Sequence, residues 1–182
     1  MRIEPSRDTV LRAFEAVQES DVFAESRALV QDGHMPVEMI QAMSASDGML
    51  QAFAAMCDAV YPGGTLDRDI QELVILTASI ENACQFCHQS HMDIARLVGV
   101  ADDTAQWLED PTQLSEPQRL AREYTLQLMQ DSNRVSDALF NAVQRAFGDG
   151  GTVELTMLVG YINMLNMFNN ALQNHYHGEL SL

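Results

Sequence analysis

The sequence predicts an all-α, single-domain protein, and three observations carry this. Apolar residues recur with the helical period from one end of the chain to the other, runs of alternating β-branched residues are missing, and clusters of Gly, Pro and Asp separate the periodic stretches. At 182 residues, 47% hydrophobic and 20% charged, the chain has the size of one globular domain and the composition of neither a disordered nor a fibrous one.

In chain order the periodicity predicts helices from Asp8 to Glu19, Val22 to Gln31 and Pro36 to Ala45, the last two separated by the turn residues Gly33-His34-Met35-Pro36. His34 reads as a solvated turn residue. The next helix, Gly48 to Val60, carries Cys57 within the apolar pattern Phe53, Met56, Val60, so Cys57 reads as an inert core thiol. Tyr61-Pro62-Gly63-Gly64 turns the chain into a helix from Leu66 to Glu81, followed by one from Ala83 to Val98. A short helix from Asp102 to Leu108 ends before Asp110-Pro111. Ser115 with Gln118 at the third helical position forms a capping box that opens a helix from Glu116 to Asp131. Two more helices, Ser136 to Phe147 and Thr152 to Gln173, flank Gly148-Asp149-Gly150-Gly151. His175 and His177 close the last helix, where an imidazolium complements the helix dipole, and read as caps rather than ligands. The eleven methionines fall mostly at apolar helical positions and read as adaptable core filling. Trp107 and Tyr161 have no partner pattern.

Charge narrows the function. Asp and Glu number 26 against 10 cations, all arginine, for a formal net charge of -16. Nucleic acid is excluded as an expected partner, because a phosphate-binding face needs clustered cations. The absence of lysine excludes a P-loop and Schiff-base chemistry. The first residues, Met-Arg-Ile-Glu-Pro-Ser-Arg-Asp, do not read as a secretory signal. No apolar stretch reaches the roughly 18 residues of a membrane span, so no membrane association and a cytoplasmic location are expected. Three cysteines are not a structural disulfide framework, and a cytosolic Cys pair reads as metal-binding or redox-active.

The informative stretch runs from Glu72 to His91, with the skeleton E-x11-C-x2-C-x3-H. Asn82 is a plausible N-cap, which puts Cys84 in the first turn of the following helix. At about 100° per residue, Cys84, Cys87 and His91 then share a sector of about 60°, with His88 at its margin. A thiol at a helix N-terminus beside an imidazole has its pKa lowered, and a second thiol one turn away can turn a sulfenic acid into a disulfide. Cys84, nearer the helix start, should feel the dipole more. Glu72 lies on the preceding helix, and a chain reversal near Asn82 could bring it to His91.

This skeleton resembles the signature of the AhpD-like proteins, within the carboxymuconolactone decarboxylase-like superfamily of all-helical oligomers. The resemblance extends more weakly over about residues 39–172, including the final helix with Asn163, Asn166, Asn169 and Asn170, and leaves residues 1–38 as an N-terminal helical extension. It implies an AhpD-like helical bundle and a homo-oligomer (dimer, trimer or hexamer) with the dithiol near a subunit interface. The implied activity is thiol-dependent reduction of hydrogen or organic peroxides, with electrons from a lipoyl-bearing or thioredoxin-like dithiol protein and no cofactor beyond the Cys84–Cys87 disulfide. Position by position, Cys87 would form the sulfenic acid, Cys84 would donate a proton and close the disulfide, and Glu72 and His91 would form a proton relay. Phe86 stands where the type enzyme has a histidine; His88 is the possible auxiliary, on another side of the helix.

Other readings use the same residues. A thiol-disulfide oxidoreductase or redox adaptor would keep the dithiol without peroxide turnover. Lactone decarboxylation, as in the superfamily's name-giving enzymes, gains nothing from a redox pair. A non-catalytic helical scaffold would use the cysteines only as small core residues. Cys84-Gln-Phe-Cys87-His88 matches the haem attachment pattern, which normally requires export. Zinc could draw on both thiolates, His88 or His91, and Glu72, but no second ligand pair follows.

Overall fold

The computed structural model describes residues 1–100 and 108–178. Within them the chain is helical: α1 (Arg7–Glu15), α2 (Ala24–Gln31), α3 (Glu38–Ser44), α4 (Met49–Ala59), α5 (Arg68–Glu81), α6 (Gln85–Leu97), α7 (Glu116–Asp131) and α8 (Asp137–Leu172), with no strand among the described residues. The expected helix from Asp102 to Leu108 lies, apart from its last residue, outside the described residues.

α5 is the axis of the fold. Every residue from Ile70 to Ser79 is buried, so this helix is enclosed on all sides, with α6, α7 and α8 packed around it. Such a helix reads as nearly continuous apolar sequence, and its polar members, Gln71 and Glu72, must find partners inside the protein. Leu155, Leu158 and Ile162 of α8 and Ala121 and Tyr124 of α7 complete the packing. The N-terminal helices add Val10, Phe14, Phe23 and Val30 to the same core, with Phe23 edge-on to Phe14 at 5.7 Å between ring centres.

Local signals place several boundaries. α1 opens at Ser6, whose hydroxyl accepts from the Thr9 N–H, and α8 opens at Ser136, which accepts from Leu139. α7 runs from Glu116 to Asp131 as expected, with the Gln118 side chain accepting from the Ser115 N–H at 2.9 Å. The two helices expected after Ser136 are one span broken at Gly148, whose φ of +68° suits glycine.

Three expectations are corrected. α1 ends at Glu15 rather than Glu19, because the Arg27 guanidinium takes the carbonyls of Val17 and Ser20 and holds that stretch out of the helix. The second helix starts at Ala24 after a 3-10 turn over Asp21–Phe23, which swings Phe23 into the core. α8 ends at Leu172, with Gln173 left-handed at φ +54°, so His175 and His177 lie beyond the helix end and do not cap it. Their partner is Glu38 on α3: the His175 backbone N–H reaches it at 2.8 Å and the His177 ring at 3.1 Å.

Candidate functional site

The site is built at the elbow between α5 and α6. Only Asn82, Ala83 and Cys84 connect the two helices, and Ala83 takes a left-handed φ of +49°. Asn82 ends α5 and does not cap α6; its amide donates to Asn163 at 2.8 Å and Asn166 at 3.0 Å, while Asn170 donates to its carbonyl at 2.9 Å. With Asn82 tied to α8, the N-cap of α6 is Cys84, whose sulfur accepts the Cys87 N–H at 3.4 Å. The expectation of an Asn82 cap with Cys84 inside the first turn is corrected by one tertiary contact set.

The two thiols are in contact. Their sulfurs lie 2.9 Å apart in a thiol–thiol hydrogen bond, and Asn169 Nδ2 donates to Cys87 Sγ at 3.2 Å. Both residues are buried, Cys84 at 1% exposure and Cys87 at 4%. The hydrogen bond with the Cys87 side chain, helped by the backbone N–H groups of Cys87 and Phe86 and by Asn166, overcomes burial and brings the Cys84 thiol down to about 7. Cys87 moves the other way: its hydrogen bond with Cys84 and burial both disfavour its thiolate. Charge therefore rests on Cys84, in line with its place at the helix start, while Cys87 is the thiol that lines a cavity.

Behind this helix Glu72 is fully enclosed and has three partners. His91 Nδ1 lies 2.9 Å from Oε2, Tyr61 OH donates to Oε1 at 2.7 Å, and Arg68 Nε lies 3.0 Å from the same oxygen. The Arg68 guanidinium also donates to Tyr61 OH at 2.8 Å and sits 4.5 Å from the centre of its ring. A buried carboxylate needs such partners, and here two cationic or potentially cationic groups and a phenol supply them. Burial, with the Glu72 charge adding to it, lifts the Tyr61 phenol well above its ordinary pKa, so Tyr61 stays protonated and donates. With Nδ1 engaged, His91 has Nε2 left for chemistry.

The cavity is about 560 Å³, largely apolar, and brings together Cys87, His91, Tyr61 and Phe86 with Cys57 and Tyr161. Its far wall comes from α2, through Leu29 and its neighbours. Cys57 shares a 3.5 Å hydrogen bond with Tyr161, and burial raises its thiol to about 11. His88 is half-buried and does not line this cavity; burial lowers its imidazole pKa. His34 is exposed in its turn, as expected. Among the described residues no three His, Cys, Asp or Glu side chains are grouped to hold a metal ion, and no helix is long and apolar enough to cross a membrane.

The structure thus brings Glu72 to His91, and Cys84 to Cys87, and leaves His88 aside. Sequence reasoning missed Tyr61, Arg68 and Asn169. Arg68 precedes Glu72 by four residues, an ion-pair spacing visible in the sequence. Tyr61 and Asn169 had no such signal, although Asn169 belongs to the asparagine-rich helix already noted.

The carboxymuconolactone decarboxylase family model matches residues 47–109, which contain the whole of α4, α5 and α6. An uncharacterized protein from Escherichia coli, YnjA, is 31% identical over 111 residues, 59% of this chain; the match spans 60% of that relative's length. An uncharacterized peroxidase-related protein from Ralstonia eutropha, described as an alkylhydroperoxidase AhpD core, superposes with a TM-score of 0.77 at 19% identity, over 98% of this chain and 93% of that one. A protein of unknown function from Agrobacterium tumefaciens, described as a candidate antioxidant-defence AhpD, gives 0.62 at 25% identity, over 73% and 94%.

Proposed function

We propose that the chain, matched by the carboxymuconolactone decarboxylase family model over residues 47–109 and sharing the fold of an AhpD core, is an AhpD-like thiol-dependent peroxidase cycling Cys84 and Cys87 between dithiol and disulfide. One observation carries the reading: two thiols lie 2.9 Å apart in a hydrogen bond, and Cys87 lines the same cavity as His91, a histidine backed by the buried Glu72 carboxylate.

The proton moves from Cys87 to Cys84, leaving a Cys87 thiolate toward the cavity. This sulfur attacks the terminal oxygen of the hydroperoxide; the O–O bond breaks, Cys87 becomes a sulfenic acid, and the alkoxide takes a proton to leave as alcohol. Cys84 then attacks the Cys87 sulfur, expelling the hydroxyl as water and closing the disulfide. Two electrons have passed from the thiols to the peroxide. His91, oriented through Nδ1 by Glu72, carries protons between this pair and the cavity. A dithiol donor protein, lipoyl-bearing or thioredoxin-like, returns the two electrons, which calls for a reducing compartment such as the cytoplasm. The protein works as a homo-oligomer in this reading.

Peroxide consumption by the reduced protein with excess dithiol tests it. Turnover that disappears in Cys87→Ser, with unchanged circular dichroism, supports the peroxidase. Rapid dithiol exchange without peroxide consumption would replace it by a thiol-disulfide oxidoreductase.

A further inference from the structure

One face of α8 is apolar and exposed among the described residues. Val153, Met157, Met164 and Met167 range from 48% to 64% exposed, and Gly160 lies open between them. Three methionines expected to fill the core therefore face outward. The charge of this stretch is as unusual as its exposure: from Leu155 to Leu172 the helix carries no Asp, Glu, Arg or His, in a chain with 26 acidic side chains. At the Val153 end, Phe140 joins Val153 and Met157 in a groove of about 370 Å³, whose charged member, Asp149, accepts from the Gln144 amide at 2.8 Å.

The spacing of the stripe is that of a helix-pairing seam. Steps of four, three, four and three residues run from Val153 through Met157, Gly160 and Met164 to Met167, the alternation that keeps a narrow seam turned toward one neighbouring helix. Read from either end, the stripe gives an apolar residue, a methionine, the glycine, a methionine and an apolar residue. A face that survives reversal fits a second copy of itself laid antiparallel, because a two-fold contact sets one patch against the same patch. Gly160 is the member that the single chain does not explain. A Cβ there would meet no atom within 4 Å, and the backbone is helical, so neither crowding nor a left-handed turn asks for glycine. Glycine weakens a helix interior, and close approach of a second backbone is what its missing side chain permits.

We propose that this face of α8 is the contact between two copies of the chain, whose helices cross antiparallel at Gly160 about a two-fold axis. Val153 then lies against the partner subunit's Met167, and Met157 against the partner subunit's Met164. At about 100 Å² for each half-exposed side chain, the stripe and Phe140 present roughly 500 Å² per copy, so a pair buries roughly 1,000 Å², where specific interfaces begin. The uncharged stretch lets two chains of net charge -16 meet without like charges facing each other. Ile162 and Leu165, which line the apolar cavity, lie on the other side of α8, so the contact does not use the cavity wall. The pairing is independent of the thiol chemistry, and its test reads no activity.

Light scattering on the purified full chain is expected to give twice the 20.2 kDa of one chain, or an even multiple of it. In Gly160→Glu two carboxylates face each other at the crossing point, and association is expected to weaken at least about 100-fold with circular dichroism unchanged. Orientation is read by cross-linking. After mild oxidation the Met157→Cys, Met164→Cys double variant is expected to form chain-to-chain disulfides, and each single variant is expected not to, because the antiparallel crossing sets one position against the other. A monomeric wild type, which would hand the stripe to a different protein, overturns the proposal, as does a trimer. So does an association that Gly160→Glu leaves unchanged, or cross-linking as complete in a single variant as in the double. If Gly160→Glu loses its helical signal, the cross-linking result decides alone.

Discussion

Glu72 and His91, nineteen residues apart on two different helices, meet at 2.9 Å through a carboxylate that no solvent reaches. The contact exists because α5 reverses into α6 over three residues, and it fixes which nitrogen of His91 faces the cavity. His91→Ala removes the proton carrier but not the thiols. It is expected to lower peroxide turnover about 100-fold while leaving chemical oxidation of the dithiol by diamide intact. Equal turnover in the variant would remove His91 from the mechanism.

Glu72→Gln keeps the shape and removes the charge facing Arg68 and His91. Breaking a buried ion pair costs several kcal/mol; Arg68 is 27% exposed, so about 2 kcal/mol is expected, read from the urea midpoint. Stability unchanged within error would mean that the carboxylate is not charged in the folded protein.

Tyr61→Phe deletes the 2.7 Å donor to Glu72 and leaves the ring against Arg68. A loss of about 1 kcal/mol is expected, as for one hydrogen bond to a charged group at the low end. Because Tyr61 acts through Glu72, the pH profile of turnover is expected to move as well, whereas a purely structural role would leave its midpoint in place.

The thiol pair makes stability depend on pH in a definite sense. In the folded protein Cys84 falls from the 9.0 of a free thiol to about 7, while Cys87 rises. Between pH 7 and 9 the unfolded chain holds both protons and the folded one has released one, so stability rises with pH, by about 2 kcal/mol over that window. Above pH 9 the unfolded chain loses both protons while the folded protein keeps that of Cys87, and stability falls. Denaturant midpoints of the reduced protein against pH, compared with a Cys84→Ser, Cys87→Ser variant, check this. Parallel curves would deny the shared proton.

The sequence carried the features set by neighbours in the chain. Ser115 and Gln118 marked the start of α7, and Gly148 marked the break in α8, because caps and left-handed turns are decided within a few residues. That Cys87 and His91, four residues apart, line one cavity followed from helical spacing alone. The cap of α6 did not, since Asn82 is the better intrinsic cap and was claimed by Asn163 and Asn166, more than eighty residues away. Tyr61 and Asn169 reach the site from a turn before α5 and from α8, so only the packed fold could name them. The pairing of His175 and His177 with Glu38 escaped the sequence for the same reason.

The most direct test adds one equivalent of cumene hydroperoxide to the fully reduced protein and follows Cys84 and Cys87 by intact mass and peptide mapping. The account expects loss of two hydrogens per chain and an internal Cys84–Cys87 disulfide, with a stable sulfenic acid on Cys87 when Cys84 is replaced by serine. Two free thiols after exposure, or oxidation confined to Cys57, would contradict it.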